Sequence, residues 1–243
     1  MKRIAIFVSG SGTNMENIAR HVKSGVLTCD IALIVSDNPN ASALKRAANL
    51  GLETFVIERK DFKSKVDFDV KIMEKLKEKK IEAVILAGYM RILSPEFVRT
   101  WQWCVLNIHP SLLPKYPGAH AIRDVWEAKE KETGVTVHFV TEDVDCGPII
   151  LQRKVAIKPD DTLETLEARV HAAEYELYPK ALELFLAGKL KVTGKTVIAS
   201  PVRPAERRIR RSVRRKGAKQ SPRSLRRFTP RDDGGSASGG VQQ

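Results

Sequence analysis

The alternation of short apolar runs with segments of helical spacing constrains this chain more than any other feature. Residues 4–8, 30–36, 53–57 and 82–87 are strand-length and mostly apolar. Between them lie three helical segments. In 14–23, Met15, Ile18, Ala19 and Val22 share a face; 41–50 is closed by Gly51; and 68–79 sets Val70, Met73 and Leu76 against exposed lysines. Strands that are apolar at consecutive positions need cover on both faces. Strand–helix–strand order provides it when the strands run parallel with helices above and below.

Beyond Gly88 the pattern changes. Ser94-Pro95-Glu96 starts a helix, with Ser as cap and Pro at the first helical position. Residues 104–108 form a strand that breaks off at His109-Pro110, and two prolines and a glycine make 111–118 a loop. Residues 119–130 are helical. Residues 134–140 and 148–157 fit an antiparallel pair around the loop 141–147. Thr162 caps a long amphipathic helix that runs toward Leu186, kinked at Pro179 and ended by Gly188. The expected fold class is α/β: an open, mostly parallel sheet with helices on both faces and an antiparallel C-terminal strand pair.

Charge divides the chain. Its 243 residues carry 42 Lys and Arg against 29 Asp and Glu, a net +13 that suggests a nucleic-acid partner when taken whole. Residues 201–243 hold 13 of the basic side chains and three acids, a net +10, which leaves the first 200 residues at +3. The organisation read from this is a catalytic body over 1–195 and a basic, disordered C-terminal tail over 196–243. The tail is Arg-rich, with a short basic helix at most over 203–215 and a Gly/Ser-rich end over 234–243. Such a tail can hold nucleic acid non-specifically with steep salt dependence. The plainer alternative is a passive extension, favoured by the lack of an aromatic platform beyond Phe228. No apolar run approaches the ~18 residues of a membrane helix, and the stretch after Met1-Lys2-Arg3 is too short for a signal peptide. Cys29, Cys104 and Cys146 are odd in number and far apart, which gives neither a disulfide framework nor a metal pattern and suits a reducing, cytoplasmic setting.

Three segments carry chemistry. Ser9-Gly10-Ser11-Gly12-Thr13-Asn14 joins the first strand to the first helix. Its glycines let the backbone turn and approach a ligand, and the free N–H groups at a helix start attract an anion. Met15 stands where a dinucleotide fingerprint has its third glycine, and no lysine follows as in a P-loop. The ligand that remains is a phosphate monoester on a sugar; a tight turn without a ligand is the alternative. Asn107 and His109 are two apart on a strand end, hence on one side, at the edge where open α/β sheets bind ligands. An Asn amide can donate to a developing oxyanion, and a His can transfer a proton near neutral pH. A lone strand-end His is more often structural, but the Asn partner and the Pro-rich loop argue for function. Asp145, in Val144-Asp145-Cys146-Gly147-Pro148, is a turn former or, with its loop folded over His109, the carboxylate that favours a protonated imidazole.

Together with Leu86-Ala87-Gly88-Tyr89-Met90-Arg91-Ile92-Leu93, these segments resemble the folate-dependent phosphoribosylglycinamide formyltransferases of purine biosynthesis, from about residue 2 to 190. The 107–109 segment belongs to the wider formyltetrahydrofolate-using superfamily, and the 9–14 loop narrows it to the glycinamide ribonucleotide branch. The resemblance implies a Rossmann-like body in which the amine of glycinamide ribonucleotide attacks the formyl carbon of 10-formyltetrahydrofolate. Asn107 and protonated His109 would stabilise the oxyanion, and Asp145 would keep His109 charged and oriented. A bound water would carry the proton from the amine to the departing folate nitrogen, with no metal and no covalent enzyme intermediate. Gly12, Thr13 and Asn14 match the family's contacts to the ribonucleotide phosphate, Glu174 a residue on the ribose hydroxyls, and His171 lies near the phosphate. Met90, Arg91, Ile92 and Leu93, with Asn107, match the folate-binding wall, which 141–145 would close from the other side. Lys65 stands where relatives often have Arg near the folate glutamate; it keeps the cation but not the bidentate fork. His138 reads as a buried strand histidine, His120 has no assigned role, and Cys146 is a small filler. The expected partners are the two substrates and no membrane, for a monomer or homodimer.

Two rivals share the folate half of the site. Methionyl-tRNA formyltransferase follows its catalytic domain with a folded β-rich tRNA-binding domain, for which 191–243 is too short and too poor in apolar residues. Formyltetrahydrofolate deformylase places a regulatory domain before the catalytic one, whereas the first strand here begins at residue 3.

Overall fold

The computed structural model describes residues 1–194 and 196–200. Along them run β1 (Lys2–Val8), α1 (Thr13–Lys23), β2 (Cys29–Ser36), α2 (Ser42–Asn49), β3 (Thr54–Val56), α3 (Lys65–Glu78), β4 (Ala83–Leu86) and α4 (Pro95–Thr100). Then follow β5 (Val105–His109), α5 (Ala121–Glu127), β6 (Glu132–Phe139), β7 (Ile149–Ala156), α6 (Leu163–Leu186), β8 (Leu190–Thr193) and β9 (Thr196–Ala199). The strands form one sheet in the order β3-β2-β1-β4-β5-β6-β7-β9-β8. The five strands from β3 to β5 pair in parallel, and β6 and β7 continue antiparallel. This is the mostly parallel α/β sheet with an antiparallel strand pair that the apolar runs dictate.

Each central strand is buried on both faces because successive side chains point opposite ways. Ile4, Ile6 and Val8 of β1 pack with Met15 and Ile18 of α1 and with Val170, Leu177 and Tyr178 of α6. Ala5 and Phe7 point to the other face, among Phe68, Ile72 and Leu76 of α3 and Phe97 of α4. That burial corrects the expected face of α3. Val70 is 41% exposed, and the stripe that enters the core is Phe68-Ile72-Leu76, spaced by four.

Helix ends follow the local chemistry. Ser94 Oγ accepts from the Phe97 N–H at the start of α4, and Thr162 and Thr165 cap α6 reciprocally. The helix α6 continues as one element through Pro179, the expected kink position. The segment expected to be helical over 119–130 forms the shorter α5. The hairpin of β8 and β9 went unread, and β9 also pairs with β7 at Ile149 and Thr196, so the described sheet runs to Ala199, past a boundary at 195. The expectations for 201–243, its disorder and its basic helix, lie outside the described residues. Among the described residues no helix is long and apolar enough to cross a membrane.

Two features position the site. Strand order reverses at β1, with β2 on one side and β4 on the other, so a crevice opens at the carboxyl ends of these strands. The buried Tyr178 hydroxyl of α6 donates to the carbonyls of Leu86 (2.8 Å) and Leu106 (3.1 Å), which fixes α6 over the end of β4 and the start of β5.

Candidate active site

A cavity of about 660 Å³ lies at this crevice. It is lined by the 9–14 loop after β1, the 86–93 segment after β4, Asn107 and His109 of β5, the 141–145 loop, and His171 and Glu174 of α6. The structure therefore brings Gly12, Thr13, Asn14, Met90, Arg91, Ile92, Leu93, Asn107, His109, Asp145 and Glu174 to the lining of one cavity. Lys65 is the exception. It lines a smaller adjoining hollow with Arg59, Phe68 and Asp69, which meets the main cavity through Met90, Arg91 and Ile92.

The polar centre is a chain of four side chains. Asp145 Oδ2 lies 3.4 Å from His109 Nδ1, and its Oδ1 lies 3.6 Å from His138 Nε2. Asp145 also accepts the Gly118 N–H at 2.8 Å. Burial raises the Asp145 carboxyl, but His138, the Gly118 N–H and the charge of His109 outweigh it and hold the group below its ordinary value. His109 is 4% exposed, and its Nε2 sits 2.7 Å from the Tyr116 carbonyl oxygen. Both ring nitrogens thus face oxygen atoms that can accept a hydrogen bond.

His138 is the residue that sequence reasoning missed. It pairs with Asn107 across β5 and β6, and its Nδ1 donates to the Phe139 carbonyl at 2.9 Å. Its Nε2 lies 3.2 Å from the Asn107 amide nitrogen, which sets the ring against both Asn107 and Asp145. No motif marks this histidine; the signal is the register of two strands about 30 residues apart in sequence.

At the phosphate-loop end, Gly12 has φ +72°, and a Cβ there would lie 2.4 Å from the Ala43 Cβ. Only glycine fits this turn. Glu174, almost fully buried, accepts from Asn14 Nδ2 and His171 Nδ1, both at 2.9 Å and both on Oε2. The Glu174 bond raises the His171 pKa; burial opposes it, and the charges of Glu174 and Glu167 add to it. Asn14 Oδ1 is buried without a partner among the described residues.

The opposite wall is apolar. Met90 is 61% and Ile92 59% exposed, whereas Leu93 is buried in the core beneath them. Exposed methionine and isoleucine side chains at a cavity mouth offer a surface to a flat ring. Arg91 is held by Asp37, 2.7 Å from its Nε, and lies over the Phe68 ring. Asp37 also accepts from Ser9 Oγ (2.6 Å), which accepts the Met90 N–H (2.9 Å), so Asp37 ties this wall to the loop after β1. The 141–145 loop faces the cavity, and Gly147 lets it return, since a Cβ there would lie 1.7 Å from the Phe139 carbonyl oxygen. Cys146 is exposed, and all three cysteines are free.

Residues 2–182 match the formyl transferase family. The phosphoribosylglycinamide formyltransferase of Haemophilus influenzae is 41% identical over 192 residues, covering 79% of this chain and 91% of that protein. A trifunctional purine biosynthetic protein, adenosine-3 of Drosophila melanogaster, is 42% identical over 189 residues, and the match spans only 14% of its length. Among solved structures, glycinamide ribonucleotide transformylase 1 from Symbiobacterium toebii superposes with a TM-score of 0.81 at 39% identity, covering 83% of this chain and 95% of that one. By sequence and by fold, this chain belongs to the formyl transferase family, among the phosphoribosylglycinamide formyltransferases.

Proposed function

We propose that the chain transfers the formyl group of 10-formyltetrahydrofolate to the amine of glycinamide ribonucleotide, a step of purine biosynthesis. The observation that carries this is the placement of Asn107, His109 and Asp145 in one cavity with a glycine-turned helix start. The cavity suits both ligands. The start of α1 offers N–H groups to a phosphate, Glu174 offers an acceptor to ribose hydroxyls, and Met90 and Ile92 offer an apolar face to a pterin ring. Three unpaired cysteines fit a reducing cytoplasm.

Bound 10-formyltetrahydrofolate supplies the formyl carbon. Asn107, beside His138, offers an N–H to the formyl oxygen as that oxygen gains negative charge. His109 has its nitrogens committed to Tyr116 and Asp145, so it acts through its positive charge and not through a donated hydrogen bond. Asp145 keeps that charge in place. A fixed cation and a fixed amide stabilise charge without reorganising at the moment of reaction, and holding both substrates in one cavity supplies much of the remaining rate. Lys65, beside the cavity, suits the glutamate end of the folate.

Steady-state kinetics of variants test the reading. His109→Ala and Asp145→Ala should each lower kcat by about 10²–10³, the scale for losing one preorganised electrostatic group. Near-native kcat in Asp145→Ala would remove Asp145 from the mechanism.

A further inference from the structure

The loop after β1 binds an anion only if its N–H groups face the ligand and its carbonyls face away. Four consecutive carbonyls are taken up by groups outside the cavity lining. Ser9 O accepts from Asn38 Nδ2 (3.2 Å), Gly10 O from the Ala43 N–H (3.1 Å), Ser11 O from Arg46 Nε (2.9 Å) and Gly12 O from the Glu16 N–H (2.9 Å). Because a trans peptide sets each N–H opposite the carbonyl before it, the N–H groups of Gly10, Ser11, Gly12 and Thr13 turn the other way. None of the four donates to another described residue.

Two of those four partners are backbone groups that any sequence supplies. Arg46 is a side chain, and it does more than donate to one carbonyl. Its guanidinium also pairs with Glu16 in the first turn of α1, and Arg20 pairs with the same carboxylate. One turn earlier on α2, Ala43 abuts Gly12. The helix α2 therefore braces the loop at three successive residues, and Arg46 joins loop, α1 and α2.

We infer that Arg46 is a positioning residue for the ribonucleotide phosphate: it touches no substrate and sets which way the loop's peptide groups point. This rests on the function proposed above. Glu16 shares its single charge between Arg46 and Arg20; the contribution assigned to Arg46 lies in the planar fork that reaches Ser11 O and Glu16 together, which lysine cannot reproduce.

The test compares Arg46→Met and Arg46→Lys with the parent, with thermal melting to confirm folding. Both variants should raise KM for glycinamide ribonucleotide about five- to tenfold, the worth of roughly one hydrogen bond. KM for 10-formyltetrahydrofolate should stay unchanged, and kcat should fall less than the ribonucleotide KM rises. Calorimetric binding of ribose 5-phosphate, which needs no turnover, should weaken by a similar factor. An unchanged ribonucleotide KM in both variants overturns the inference. So does a parent-like KM in Arg46→Lys beside a raised one in Arg46→Met, because the role would then be charge. If Arg46→Met fails to fold, Arg46→Lys alone decides in the same way. If the parent binds ribose 5-phosphate in an Arg46-dependent manner but transfers no formyl group, the functional reading fails and the positioning role stands.

Discussion

Asp145 sits where an ionised carboxylate is costly, and its neighbours make the position tenable. It is largely buried, its backbone is left-handed at φ +54°, and two histidines and an N–H converge on its two oxygens. A non-glycine residue in that region stores of order 1–3 kcal/mol of strain and persists where its surroundings over-determine it. At the other end of the cavity, Glu174 does the same for His171. Its hydrogen bond favours the imidazolium, so His171 should titrate above the ordinary histidine value of 6.5. The sign follows from linkage. A raised pKa gives a stabilising contribution that is complete below the unfolded value and is lost as pH rises through the folded one. An NMR titration of His171 should show the raised midpoint, and Glu174→Gln should bring it back toward 6.5; an unmoved midpoint would separate the two residues. The residues of the site were legible to different degrees. Asn107 and His109 declare themselves by a spacing of two on a strand end. His138 does not, because its role exists only once β6 lies against β5. Nor does Tyr116, which acts through its carbonyl and not its side chain.

At the level of elements, α6 delivers chemistry to the sheet. Glu174 stands one turn before Tyr178, whose hydroxyl ties the helix to the end of β4 and the start of β5. Tyr178→Phe removes both bonds without changing the packing shape. It should lower stability by about 1–2 kcal/mol and Tm by a few degrees, measured by calorimetric melting, and it should raise the ribonucleotide KM through Glu174. A melting temperature equal to the parent's would mean that the hydroxyl does not anchor the helix. Continuous apolar strands and capping residues made the central sheet and the starts of α4 and α6 readable. The face of α3 was not, because Val66, Val70 and Met73 form a second apolar stripe beside Phe68, Ile72 and Leu76. Burial against the sheet chooses between the two stripes. The hairpin of β8 and β9 consists of four-residue strands with little burial, and the signal that could have found it is the pair of short apolar runs on either side of Gly194.

Over the molecule as a whole, the first 200 residues carry a net of only +3 for two anionic substrates. On the proposed function, selectivity lies in placed groups: N–H groups at the start of α1, a histidine beside a carboxylate, and an amide on β5. The sheet supplies the placement, since the crevice at the reversal of strand order gathers the ends of β1, β4 and β5 into one cavity. The most direct check is the two-substrate reaction itself. Purified chain is mixed with glycinamide ribonucleotide and 10-formyltetrahydrofolate, and both products are quantified. Formylated ribonucleotide and tetrahydrofolate should appear in equal amounts, with no tetrahydrofolate formed when the ribonucleotide is omitted. Absence of turnover, or folate deformylation that proceeds at the same rate without the ribonucleotide, would contradict the proposed function.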